Sequence, residues 1–315
     1  MVKYNSTKLD FSLNLDFNEI LTNPILDIAA RFWEDDRYDA FRTCYRSMRI
    51  IDDLVDNRKA AEGAITDIER ERYIRIIEDW IDSIKQRQPT DTFQDKLIAA
   101  IERFEIPVWP WERLASAMTY DFTHDGYPTF ISFLRYCEGA AVAPASVFMH
   151  LCGVIEKDGV YIKPIFNTRK AARPLAIFSY LVHIIRDFEK DQKNNLNCFA
   201  HNLLKQHRLT IPELKRIAEM QDIKPSFRSM MAQYAGFAEY YRKKARRTID
   251  RTLPYLKPRY QLSLEIIYDL YLQIFERIDP ENGSFTATEL NSKPDEIQDR
   301  IDEIIAAFQP VKQDI

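Results

Sequence analysis

Residues 45–58 read YRSMRIIDDLVDNR, and the fold turns on how this stretch is understood. Ile50, Ile51, Leu54 and Val55 recur at helical spacing, so the segment reads as an amphipathic helix and not as a strand. Asp52 and Asp56 stand four apart and share one face. Arg49, three residues before Asp52, and Tyr45, four before Arg49, extend the same polar stripe. Two carboxylates one turn apart repel each other. Either the stripe is a solvated acidic face answered by Arg46, Arg49 and Arg58, or it collects a positive ligand.

A second segment of the same design lies at 180–192, YLVHIIRDFEKDQ, with Asp187 and Asp191 four apart, Arg186 beside the first and His183 four residues earlier. Two acidic stripes on apolar helices meet a common need. Hard carboxylate oxygens, waters and phosphate oxygens together complete the octahedra of magnesium ions that hold a diphosphate. The pattern therefore predicts Asp52, Asp56, Asp187 and Asp191 as ligands of Mg2+, with Mn2+ as the alternative ion, and the arginines as direct phosphate contacts.

Outward from these stripes the texture stays the same. Apolar residues recur at three and four positions in Ile74, Ile77, Trp80, Ile81 and Ile84, and in Leu262, Ile266, Ile267, Leu270 and Ile274. Seven glycines in 315 residues leave few turns for a sheet, so the chain is predicted to be all-α. Helices are expected over 24–33, 37–58, 66–87, 92–105, 109–123, 129–152, 168–191, 197–207, 211–220, 226–252 and 258–278. Breaks are expected at Pro107, at Gly126 with Pro128, and at Gly159, Pro212, Pro225 and Pro254 with Pro258. One domain is expected over 1–280, followed by a polar tail over 281–315. In that tail Ile297, Ile301, Ile304 and Ile305 predict a short helix at 295–308, docked on the bundle or frayed.

Composition narrows the class. Lys and Arg total 44 against 48 Asp and Glu, a net charge of −4, which gives no global attraction for nucleic acid. Hydrophobic residues are 46% and charged residues 29% of the chain, with mean hydropathy −0.37, the balance of a folded protein. Cys44, Cys137, Cys152 and Cys198 form no CxxC pair, so neither a zinc site nor a disulfide scaffold is predicted. No apolar signal core opens the sequence and no stretch approaches the roughly 20 residues of a membrane span. A cytoplasmic protein is expected. His124, His150, His201 and His207 lack mutual metal spacing, and no Ser-His-Asp order or glycine-rich phosphate loop appears. The basic run YYRKKARR, Tyr240 to Arg247, is either a solvated face or a contact with acidic lipid headgroups.

With both stripes in view, R-x-x-D-D-x-x-D at Arg49–Asp56 and R-D-x-x-x-D at Arg186–Asp191 resemble the paired aspartate motifs of the squalene and phytoene synthase family. Between them MTYDFTHDGYPTFISFLRYC resembles the family segment in which an Asp, a Tyr-x-Thr and a Tyr-Cys follow one another, here Asp121, Tyr127, Thr129, Tyr136 and Cys137. The resemblance covers about 20–280, and Tyr268 and Tyr271 fit the family's last core helix. It implies an isoprenoid synthase helical bundle around a deep apolar cavity, with both stripes at its mouth. It also implies magnesium-dependent head-to-head condensation of two prenyl diphosphates, farnesyl or geranylgeranyl, through a cyclopropylcarbinyl diphosphate, with pyrophosphate released. Tyr45, Arg49, Asp121, His183 and Arg186 would then bind substrate and Tyr136 would act in catalysis. Phe130, Phe133, Phe148 and Phe178 would line the cavity, or else simply fill the core.

The chain also departs from the family pattern. His183 stands where the family usually has Asn; a neutral imidazole would serve phosphate or metal, a protonated one phosphate alone. The tyrosine that follows the Tyr-Cys pair, implicated in proton removal, is replaced within Glu138-Gly139-Ala140. Glu138 is then either a substitute base or an ion-pair partner of Arg135. Leu196-Asn197-Cys198 replaces an Arg-x-Tyr, which leaves NADPH use open, and Asn23-Pro24-Ile25 with Pro144 resemble the bacterial branch forming hydroxysqualene. Alternatives on the same fold are a terpene cyclase or a hydroxysqualene-type enzyme, and beyond these a non-catalytic scaffold. Chain-elongating synthases are excluded, because RDFEKD lacks their paired leading aspartates. Peripheral membrane contact is the remaining partner expectation.

Overall fold

The computed structural model describes residues 24–61, 65–124 and 126–313; the opening stretch read for a signal core, and Asn23, lie outside them. The chain runs α1 (Ile25–Ala30), α2 (Asp35–Ala60), α3 (Asp67–Gln86), α4 (Thr92–Arg103), α5 (Trp109–Thr123), α6 (Phe130–Ala140) and α7 (Val142–Gly153). A hairpin follows, β1 (Ile155–Lys157) and β2 (Val160–Ile162). Then come α8 (Thr168–Arg186), α9 (Phe188–Lys193), α10 (His201–Gln206), α11 (Ile211–Met220), α12 (Pro225–Thr252), α13 (Pro258–Phe275), α14 (Ala287–Leu290) and α15 (Pro294–Ala307). The fold is all-α, as expected.

Local chemistry sets the ends of these helices. Asp35 and Asp36 open α2 while Arg58 and Lys59 close it, each sign complementing the helix dipole. Thr66 and Glu69 make a reciprocal capping box at the start of α3, and Asn167 caps α8 by accepting from the Lys170 N–H. α8 is packed between α7 and α12. Polar ties then fix the other walls around it. The buried Arg37 guanidinium of α2 donates to the carbonyls of Leu151 (2.7 Å) and Val154 (3.2 Å) and lies 4.5 Å over the Tyr260 ring. The Trp111 indole of α5 donates to Ser47 of α2 at 2.9 Å, directly beneath the first acidic stripe. Leaving such a buried donor unpaired costs about 1–3 kcal/mol, so the tie sets register as well as contact.

Four expectations are corrected. The single helix read over 129–152 is two, α6 and α7, because Pro144 has no N–H for the Ala140 carbonyl and its ring crowds that carbonyl. The helix read over 168–191 breaks at Asp187, whose φ of −90° and ψ of 7° end α8 and open α9. The helix read from 197 begins at His201, because the Asn197 side chain accepts from the Phe199 N–H (3.1 Å) and holds a turn there. The β1–β2 hairpin was not foreseen. Its turn is Asp158-Gly159, with φ of 53° and 78°, the positive pair that a two-residue hairpin turn requires. After residue 281, α15 rests on α13 through buried Ile301 and an Arg300–Asp269 ion pair of 2.9 Å.

Candidate active site

One cavity runs along α8, lined in order by Ala172, Leu175, Ala176, Ser179, Tyr180 and His183. At 1.5 Å per residue, Ala172 and His183 lie about 16 Å apart. The His183 end is polar: α2 contributes Tyr45, Arg49, Asp52, Asp56 and Lys59, α5 contributes Asp121, α6 contributes Tyr136, and Asp191 with Asn197 and Cys198 closes the side. The Ala172 end is apolar, walled by Leu26, Phe148, Met149, Leu264 and Ile267. The two stripes thus meet at one end of a chamber whose other end can hold only hydrocarbon.

The first stripe is an electrostatic surplus. Burial first, then Asp56, Asp53 and Asp121, push the Asp52 carboxyl up to about 7 against the opposing pull of Arg49. Burial and Asp121 likewise raise Asp56. Arg49 donates to Asp52 (2.5 Å) and also to Asp53, so it anchors the stripe at its outer edge. One turn past Asp56, Lys59 pairs with Asp121 at 3.0 Å, and the Tyr136 hydroxyl donates to the other Asp121 oxygen at 2.6 Å. Lys59 was missed from sequence, although its place at three residues after Asp56 puts it on the same stripe.

The second stripe is divided. Asp187 stands off the cavity lining behind His183, gripped by both arms of Arg186 (2.6 and 3.0 Å) and 3.2 Å from His183 Nε2. Burial would raise its carboxyl, but His183 and Arg186 outweigh burial and hold it below the usual range. Arg186 also donates to His183 Nδ1 at 2.7 Å, which leaves the ring proton on Nε2. Burial lowers His183 to about 4, so the imidazole is neutral near pH 7. Asp191 lines the cavity, and burial with Asp187 and Asp56 pushes it up to about 7.

The remaining site expectations divide as follows. Glu138 does not line the cavity; it accepts from Arg169 (2.6 Å) and Arg173 (2.5 Å), not from Arg135. Burial alone would raise its carboxyl, yet these two arginines hold it low. Of the four phenylalanines only Phe148 lines the cavity. Phe130 stacks on Phe237, Phe133 on Tyr180 and Phe178 against Phe275, because their helix faces point to neighbouring helices. The rings at the cavity wall are instead Tyr45, Tyr127, Tyr136, Tyr180 and Tyr271. Tyr268 is turned away, accepting from Arg242 at 3.0 Å.

Among the described residues no three His, Cys, Asp or Glu side chains stand close enough to hold a metal ion unaided. The donors are nonetheless of the right kind. Asp52 and Asp56 on one wall and Asp191 on the other offer hard oxygens that burial and like charge keep raised even with Arg49 on Asp52, while Asp187 is held low by His183 and Arg186.

The squalene/phytoene synthase family model matches residues 28–293 of the chain. The chain belongs to that family. Family membership makes it a prenyltransferase-type enzyme, acting in head-to-head prenyl condensation. Among solved structures, a dehydrosqualene synthase crystallised with a ligand is similar at 13% identity, covering 92% of this chain and 94% of that one, with a TM-score of 0.66. Squalene synthase HpnC from Alicyclobacillus acidocaldarius is similar at 14% identity, covering 79% of this chain and 96% of that one, with a TM-score of 0.56. These likenesses extend the fold to nearly the whole synthase. A search of curated protein sequences finds no match.

Proposed function

We propose that this synthase joins two molecules of farnesyl or geranylgeranyl diphosphate head to head, with magnesium, and that its final product forms without NADPH. One observation carries the reading: both acidic stripes reach a single cavity whose far end is purely apolar. Magnesium, when bound, supplies the positive charge that a departing pyrophosphate needs. Asp52, Asp56 and Asp191 are the residues that would hold it. Arg49, on the cavity wall, binds phosphate oxygens, while Arg186 and Asp187 stand off the lining and hold the neutral His183 ring in place between them and the cavity.

The apolar walls from Ala172 to Phe148 exclude water from the prenyl chains, and the tyrosine rings face developing positive charge. When the carbon–oxygen bond of one substrate breaks, its electron pair leaves on pyrophosphate and the double bond of the second chain attacks the cation. Closing the cyclopropane then releases a proton. Tyr136 is the group placed to take it, passing its own hydroxyl proton to Asp121, which Lys59 holds in position. Glu138, engaged by two arginines away from the cavity, is left a structural part.

The test is incubation with Mg2+ and each of farnesyl, geranylgeranyl and presqualene diphosphate, with and without NADPH, followed by pyrophosphate assay and mass spectrometry. Pyrophosphate with a condensed polyene or alcohol in the absence of NADPH is expected. Squalene formed only with NADPH would overturn the last part of the proposal, and a cyclic C15 or C20 hydrocarbon would overturn the condensation.

A further inference from the structure

The β1–β2 hairpin presents a sheet face that nothing among the described residues covers. Tyr161 points inward, stacking 4.3 Å from Phe104 and donating to Asp36, which turns the residues on either side of it outward. Val160 and Ile162 are 63% and 45% exposed, and Ile165 just beyond is 63% exposed. The cross-strand partners Ile155 and Lys157 share their face. Three exposed branched side chains in six residues are a row, unlike the solitary exposed Ile68 on α3.

This row sits at the cationic end of the bundle. α8 and α12 run antiparallel, since Tyr234 of α12 reaches the aromatic cluster of Phe130 around Phe133 and Tyr180, while Tyr255 past its end meets Phe166 beside the hairpin at 6.2 Å. The basic run singled out in the sequence is therefore carried toward the hairpin. Residues 240–257 hold seven Lys or Arg against the single acid Asp250. Arg242, Lys243 and Arg246 are answered by Glu239 and Glu265. Arg247, Arg251 and Lys257 make no ion pair among the described residues, and Lys157 and Lys170 beside the hairpin make none either.

We propose that this end of the molecule, the outer hairpin face together with the basic end of α12, docks on an anionic lipid surface. Branched apolar side chains beside five unanswered Lys or Arg, which outnumber the two hairpin acids Glu156 and Asp158, unpaired among the described residues, are the pattern that enters a headgroup layer. A two-fold contact with a second copy would set the unanswered cations of this face against one another, which disfavours a second copy as its occupant. Position supports the same assignment. The apolar end of the cavity, at Ala172, lies toward the start of α8 and so toward the hairpin, while the acidic stripes lie at the other end, away from a negatively charged surface. Only this last point rests on the proposed function.

The full chain is to be floated with vesicles of phosphatidylcholine alone and of phosphatidylcholine with phosphatidylglycerol, without any prenyl diphosphate. Binding to the anionic vesicles only, weakened by added salt, is expected. The triple variant Val160→Ser, Ile162→Ser, Ile165→Ser and the double variant Arg247→Gln, Arg251→Gln are each expected to lose partitioning about tenfold or more, while Ile68→Ser binds as the parent does. Pyrophosphate release from soluble substrate stays unchanged in the triple variant, so a failure here is distinguishable from a failure of the catalytic reading. No flotation of the parent, or equal flotation of the triple variant, overturns the proposal. A dimer that the triple variant converts to monomer also overturns it and assigns the face to a second copy.

Discussion

The two acidic stripes have the same spacing, but their first aspartates are in opposite electrostatic states. On α2 the pair sits mid-helix, both carboxylates line the cavity, and both are raised by burial and by neighbouring carboxylates, Asp56 on Asp52 and Asp121 on Asp56. At the end of α8 the backbone breaks at the first aspartate, which turns it onto Arg186 and His183 and leaves only the second facing the cavity. Spacing alone does not say what a pair of carboxylates does. A helix that continues presents both side chains to the ligand, whereas a helix that ends converts one of them into a support for its neighbours.

The largest expected effect separates the two on activity. Asp52→Asn, Asp56→Asn and Asp191→Asn each lower pyrophosphate release by about 10³-fold, roughly 4 kcal/mol of transition-state stabilisation. Asp187→Asn costs about 10- to 100-fold, acting through the position of Arg186. Equal losses at all four positions in a single-turnover assay would erase the distinction. Next in size, Mg2+ with inorganic pyrophosphate raises the stability of the parent by about 2.7 kcal/mol at a hundredfold excess over Kd, read as a rise in Tm. The rise shrinks in Asp52→Asn and Asp191→Asn, and a Tm indifferent to both ligands would remove the cation from the comparison.

A smaller effect has opposite signs at the two stripes. Without ligands, Asp52→Asn relieves repulsion and stabilises the fold by about 1–2 kcal/mol, whereas Asp187→Asn strips Arg186 of its partner and destabilises it by about 1–3 kcal/mol. Denaturant melts of both variants check the signs. The pH dependence is the finest discriminator. Asp52 titrates near 7 when folded and near 4 when unfolded, so between those values the folded state keeps a proton that the unfolded state has lost. Parent stability from this group therefore falls as pH rises, and the gain in Asp52→Asn is full above pH 7 and gone below about pH 4. Asp187 is held low, so the loss in Asp187→Asn is full above about pH 4 and fades on further acidification.

Much of this site was legible because helical spacing carries it. Tyr45, Arg49, Asp52 and Asp56 lie on one stripe by arithmetic, and the structure puts all four on the cavity wall. Lys59 obeys the same arithmetic, but it also falls in the helix's last turn, where the dipole alone accounts for a lysine. The break at Asp187 has no such signal: no Pro or Gly marks it, and the grip of Arg186 becomes visible only in three dimensions. The hairpin had its signal in Asp158-Gly159 and was passed over because two three-residue strands are too short to show alternation. Glu138 faces Arg169 and Arg173, which lie more than 30 residues away, and local sequence points only to Arg135.

Gly139 sets how closely α5 and α6 approach. A Cβ built there would lie 2.2 Å from the Arg113 carbonyl oxygen and 2.6 Å from the Ala117 methyl, so α5 and α6 touch backbone to backbone at that point. Glycine inside a helix costs up to about 1 kcal/mol, and even in the last turn of α6 it is required here because no other residue admits that approach. Position 139 therefore accepts no larger side chain by a single substitution: α5 would first have to move, taking Asp121 and the Tyr136 hydrogen bond with it. A side chain at 139 would thus reach the chemistry without touching it, through the spacing of two helices.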